Sequence, residues 1–72
     1  MEIELKETVI SATQSQKQAQ KLLEEMVVNG GWEVDGKNEA GLTYRRVVEG
    51  QVEVLLLRKD GDRIWKVLKE VI

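Results

Sequence analysis

The sequence predicts an α+β domain, one amphipathic helix packed on a curved antiparallel sheet in the order β-α-β-β-β-β, and three observations carry that prediction. Residues 2–10 alternate between apolar and polar side chains, the period of a half-buried strand. Over about 12–29 the apolar side chains recur at three- and four-residue steps, the period of a helix. After that come apolar segments rich in β-branched residues, separated by short glycine-bearing turns.

In the first segment Ile3, Leu5 and Val9 share one face and Glu2, Glu4, Lys6 and Thr8 the other; Glu7 falls on the apolar side, so the strand either bulges or is exposed there. The helical stripe comprises Ala12, Ser15, Ala19, Leu22, Leu23, Met26 and Val27. Ser11 or Thr13 is placed to cap it, each with a glutamine three residues on (Gln14, Gln16), and Asn29-Gly30-Gly31 should close it. Trp32 and Val34 begin a short strand that runs into a turn at Asp35-Gly36-Lys37-Asn38, extended by Ala40-Gly41. Residues 42–48, 52–58 and 63–72 read as successive strands, divided by Glu49-Gly50 and by Asp60-Gly61, a strong hairpin signal. Residues 63–72 also fit a second helix capped by Asp62; their β-branched and aromatic content and the preceding turn favour the strand.

Turn lengths then assign faces. A two-residue turn at Asp60-Gly61 sets Leu56 opposite Trp65 and Leu57 opposite Ile64, and a three-residue turn at Glu49-Gly50-Gln51 adds Leu42, Tyr44 and Val48 to the inner set. On that register Val52, Val54, Leu56, Trp65, Val67 and Val71 lie under the helix. Leu55, Leu57, Ile64, Leu68 and Ile72 remain on the outer face, which the same helix cannot cover, and they predict a homodimer or a protein partner there.

The composition narrows the function. At 72 residues the chain is one domain with a thin core. It has no cysteine and no histidine, hence no disulfide, no thiolate metal site and no imidazole base. The acidic pairs Glu24-Glu25 and Asp60/Asp62 read as solvated, and the glycines form no phosphate-cradling motif. The expectation is a protein that is not an enzyme and uses no metal or cofactor. The longest apolar run, Val54 to Leu57, falls far short of the roughly 20 residues of a membrane span. The acidic, alternating start is unlike a signal peptide, so a natural chain of this kind is expected in the cytoplasm.

The net charge of −2 hides an asymmetry: residues 1–35 carry three lysines against seven acids, and 36–72 eight bases against six acids. Arg45, Arg46, Arg58, Lys59, Arg63, Lys66 and Lys69 could gather near Tyr44 or Trp65 as a surface for single-stranded nucleic acid. Cross-strand pairing with Glu49, Glu53, Glu70 and the turn aspartates is the plainer reading in a chain of acidic total, so nucleic acid is not the expected partner. Trp32 and Trp65 read as core anchors. The joint absence of proline, histidine, cysteine and phenylalanine suits a designed or engineered sequence, whereas Thr13, Gln14, Ser15, Gln16, Gln18 and Gln20 are residues a designer would avoid in a helix.

Two family resemblances follow. The element order, the hairpin Val47-Val48-Glu49-Gly50 and the stretch Leu57-Arg58-Lys59-Asp60-Gly61-Asp62 resemble the cystatin-like fold. That resemblance implies a cysteine-protease inhibitor whose Gln-Val-Val-Ala-Gly hairpin wedges into a papain-type enzyme; here Arg46 stands at the glutamine's place and Glu49 at the alanine's. The segment from Ala40 to Arg46 and from Val52 to Arg58 is similar to the opening strands of Nudix hydrolases, without that family's glutamate-rich metal-binding helix.

Overall fold

Two hairpin turns decide which side chains of this protein see the core. In the computed structural model, which describes residues 6–72, the elements are β1 (Lys6–Thr13), α1 (Gln16–Gly30), β2 (Glu33–Asn38), β3 (Gly41–Val48), β4 (Gln51–Asp60) and β5 (Ile64–Val71). The five strands form one open antiparallel sheet in the order β1-β5-β4-β3-β2, and α1 lies across β1, β5 and β4 on one face. The order of elements is the one the sequence predicts, with residues 64–71 a strand and not a second helix.

Several boundaries move. β1 runs on through Thr13, so Ala12 belongs to the strand and Ser15 caps the helix, its hydroxyl accepting from the Gln18 amide at 3.2 Å. Gly31 closes the helix in the left-handed conformation (φ 68°). Of the first strand's predicted apolar face, Ile3 and Leu5 lie outside the described residues, and Val9 pairs with Leu68 on the side away from the helix. The bulge falls between Val9 and Ser11 rather than at Glu7. The expected turn at Asp35-Gly36-Lys37-Asn38 is instead the body of β2, which absorbs Asp35 as a bulge opposite β3. The chain reverses at Glu39-Ala40, where the Asn38 side chain accepts from both the Ala40 and Gly41 amides.

Both of the turn lengths that set β4 differ from the sequence reading. Val48 pairs with Gln51, leaving a two-residue turn at Glu49-Gly50 with φ of 51° and 79°, the double left-handed geometry that matches strand twist in a tight hairpin. Asp60 pairs with Ile64, leaving a three-residue loop, Gly61-Asp62-Arg63. The β3–β4 register thus moves by one residue and the β4–β5 register by three, and any odd shift turns the side chains of a strand to the opposite face. Leu55 now pairs with Tyr44, and Leu57 with Val67. The core beneath α1 is therefore Ala19, Leu23, Trp32, Tyr44, Leu55, Leu57 and Val67, with Trp65 packed against it. Leu55 and Leu57 are fully buried there, at 0 % exposure, which removes them from the outer face assigned by the sequence. Val52, Val54 and Leu56 take their place facing away from the helix. Leu42 and Val48, counted with the inner set, are exposed at 47 % and 39 %, because α1 does not extend over β3.

Candidate functional site

The uncovered face of the sheet can be written out row by row from the strand pairing. One row runs Glu7, Glu70, Val54, Arg45, Glu33 across β1, β5, β4, β3 and β2. Beside it lies Val9, Leu68, Leu56, and beyond that Ala12, Lys66, Arg58 and then Ile64 with Asp60. On the opposite flank Val47 pairs with Val52, and the Ile72 amide donates to the Val52 carbonyl at 2.9 Å. Of the predicted outer residues, this face brings together Ile64, Leu68 and Ile72.

Leu68 is outward yet fully buried, and it lies outside the cluster beneath α1. An ion pair spans the strand that carries it. The Arg58 guanidinium donates to both carboxylate oxygens of Glu7, at 3.2 and 3.5 Å, and to join β4 with β1 it must cross β5 between Lys66 and Glu70, over Leu68. A second outward pair joins Lys66 to Asp60 and, chiefly through that hydrogen bond, holds the Asp60 carboxyl below its ordinary value. Between these charged residues the column Val52, Val54, Leu56 stays partly open to solvent.

The covered side carries a polar device of a different kind. Arg46 donates through Nε to Glu53 at 2.8 Å and through a terminal nitrogen to the carbonyl of Gly30 at 2.9 Å, and its guanidinium lies 4.2 Å from the centre of the Trp32 ring. Lys69 approaches the other oxygen of Glu53 at 3.7 Å. The Arg46 hydrogen bond, with help from Lys69, keeps the Glu53 carboxyl below its usual value despite its burial. This cluster ties the last turn of α1, whose carbonyls lack helical partners, to the middle of the sheet.

These pairings also account for much of the basic charge. Arg45, Arg46, Arg58, Lys66 and Lys69 each face an acid, Tyr44 is in the core, and Lys59 lies over the ring of Trp65. A cleft of about 570 Å³ opens where β3 parts from β4 beyond Tyr44 and Leu55; the Asn38 amide bridges it to the Leu57 carbonyl at 3.0 Å. Among the described residues no three acids, histidines or cysteines are grouped to hold a metal, and no helix is long and apolar enough to cross a membrane. The hairpin Val47, Val48, Glu49, Gly50 projects with all four residues exposed.

No family model, curated protein or solved structure matches the chain. The architecture, one helix on an open five-stranded antiparallel sheet, is compatible with a cystatin-like arrangement.

Proposed function

We propose that this protein is a non-enzymatic interaction module, natural or designed, that self-associates through the open face of its sheet. The supporting observation is the column Val52, Val54 and Leu56, flanked by Val9, Val47, Ile64 and Ile72, which no second layer among the described residues covers. An apolar surface rimmed by charge marks an interaction site in a small domain. Charge favours a second copy over a nucleic acid or an anionic membrane: Glu7, Glu33, Asp60 and Glu70 nearly balance Arg45, Arg58 and Lys66 on that face. The area is adequate. Five strands at ~4.8 Å spacing and eight residues at ~3.3 Å give a face of roughly 19 by 26 Å, and side-chain relief raises its projected ~500 Å² toward the ~800 Å² per partner of a specific interface.

Replacing Leu56 with Lys tests this. The variant should keep its circular dichroism spectrum and lose the dimer in light scattering; a dimer that persists unweakened rejects the open face as the interface. Leu57→Lys should instead abolish folding.

A second reading has one observation in its favour, the exposure of Val47, Val48, Glu49 and Gly50 at the hairpin tip. A cystatin-like inhibitor would use that tip, and tight inhibition of papain, abolished by Gly50→Arg, would establish it.

A further inference from the structure

Among the described residues, two carboxylates on the open face, Glu33 and Glu70, make no ion pair, and Glu70 is the less exposed of them. Glu70 stands directly opposite Glu7 on the neighbouring strand, a like-charge pairing that weakens a sheet. Glu7 is taken by Arg58, and among the described residues Glu70, itself only partly exposed, makes no ion pair. In the same row, two strands away, Arg45 stands opposite Glu33 and, among the described residues, forms its ion pair with Asp35, at 3.9 Å and with both side chains about half exposed, a contact worth little. Val54 lies midway between them. The flanking row repeats the arrangement: Val47 and Ile72, at 66 % and 58 % exposure the most open apolar side chains on this face, sit on either side of Val52.

A two-fold axis laid along β4 exchanges β3 with β5. It carries Glu70 onto Arg45 and Val47 onto Ile72, and it leaves Val52, Val54 and Leu56 on the axis. We propose that the protein forms an isologous dimer, sheet on sheet, with β4 over the partner's β4, Glu70 against the partner's Arg45 and Ile72 against the partner's Val47. The inference rests on the self-association proposed above and specifies its geometry. Each contact then occurs twice, as a closed two-fold interface requires. The twist of each sheet sets the two β4 strands at roughly −30°, so the axis bisects that angle and runs about 15° from either strand. At the rim the axis directs Glu7 toward the partner's Glu33, and the Arg58 already bound to Glu7 supplies the balancing charge. The other in-plane axis, across the strands, would set Glu70 against the partner's Glu70 and Arg45 against the partner's Arg45 when it passes through the Val54 row, or Val52 against the partner's Asp60 when it passes through Leu56, and is disfavoured for those reasons.

Charge reversal tests this geometry. Arg45→Glu alone puts two glutamates together at both contacts, and Glu70→Arg alone puts two arginines together; each should weaken the dimer roughly 100-fold. Mixing the two variants pairs Glu with Arg at both contacts, so the equimolar mixture should return to dimer mass in sedimentation, as should the double variant R45E/E70R. Val47→Glu mixed with Ile72→Lys is an independent second pair expected to behave alike. A wild-type dimer indifferent to either single reversal, or one weakened by Lys66→Glu but not by Arg45→Glu, overturns this geometry and leaves self-association standing. A wild-type monomer removes both.

Discussion

Leu56 and Leu57 are adjacent leucines in one strand with opposite fates. Leu57 is sealed beneath the helix at 0 % exposure, and Leu56 faces out, partly solvated. Nothing in the composition of Val54-Leu55-Leu56-Leu57 distinguishes the two faces. The distinction comes from the turns: a tight two-residue turn before β4 and a three-residue loop after it fix the strand's rotation relative to both neighbours. A strand apolar on both sides buries one side under α1 and, among the described residues, leaves the other without a covering layer.

Truncating the two leucines separates the faces most sharply. Leu57→Ala should cost about 3 kcal/mol in denaturant unfolding, within the ~2–5 kcal/mol range for buried leucines, which in so small a domain approaches complete unfolding. Leu56→Ala should cost the folded chain ~1 kcal/mol or less and act chiefly on association. Equal losses at the two positions would contradict the assignment of faces.

The covered face also contains a polar cluster around the buried Glu53, and opening it should have the next largest effect. Arg46→Ala leaves Glu53 with Lys69 alone and the Gly30 carbonyl without its donor, at an expected cost of ~2–3 kcal/mol. Because the carboxyl of Glu53 is held below the ordinary carboxyl value of 4.5, its contribution is present above that pH and is lost as pH falls through the lower folded value. Acid titration of the wild type should therefore show stability declining below about pH 4.5, and Glu53→Gln should flatten that decline. An unchanged slope in the Gln variant would mean that other carboxylates carry the acid sensitivity.

The smallest effect concerns the turn that sets the faces. Glu49 adopts φ 51°, unusual for a residue with a side chain, beside Gly50 at 79°. Asn tolerates that conformation better, so Glu49→Asn should raise the unfolding midpoint by an increment worth a few tenths to ~1 kcal/mol without altering amide chemical shifts in β4. A loss of stability would argue that the Glu49 side chain has a role of its own.

Much of the fold was legible in the sequence for reasons these experiments probe. The alternation of residues 6–10, the stripe from Ala19 to Val27 and the Asn29-Gly30-Gly31 stop all report local periodicity or backbone freedom, and these act within a few residues. The choice of strand over helix for residues 64–71 held because Ile64, Trp65, Val67 and Val71 favour a pleated surface. What was not legible depends on where each turn begins and ends. Asp60-Gly61 reads as a two-residue hairpin, yet Gly61-Asp62-Arg63 forms the loop, and a turn reading one residue too long at Gln51 turned β4 over relative to β3 as well. Both slips rotate the same strand, which is why Tyr44, Trp65 and Val67 are inside as expected while Leu55 and Leu57 changed sides with Val54 and Leu56. The outer site was accordingly half read: Ile64, Leu68 and Ile72 are on it, whereas Arg45 and Glu70 carried no signal until the register aligned them around Val54.

Sedimentation equilibrium of the wild-type chain over a concentration series, from micromolar to several hundred micromolar, tests the central claim most directly. The account predicts a reversible rise to twice the 8.2 kDa chain mass, with the dimer favoured as concentration increases. A single species of 8.2 kDa across the whole range would contradict it, leaving the open face of the sheet without the second copy proposed here.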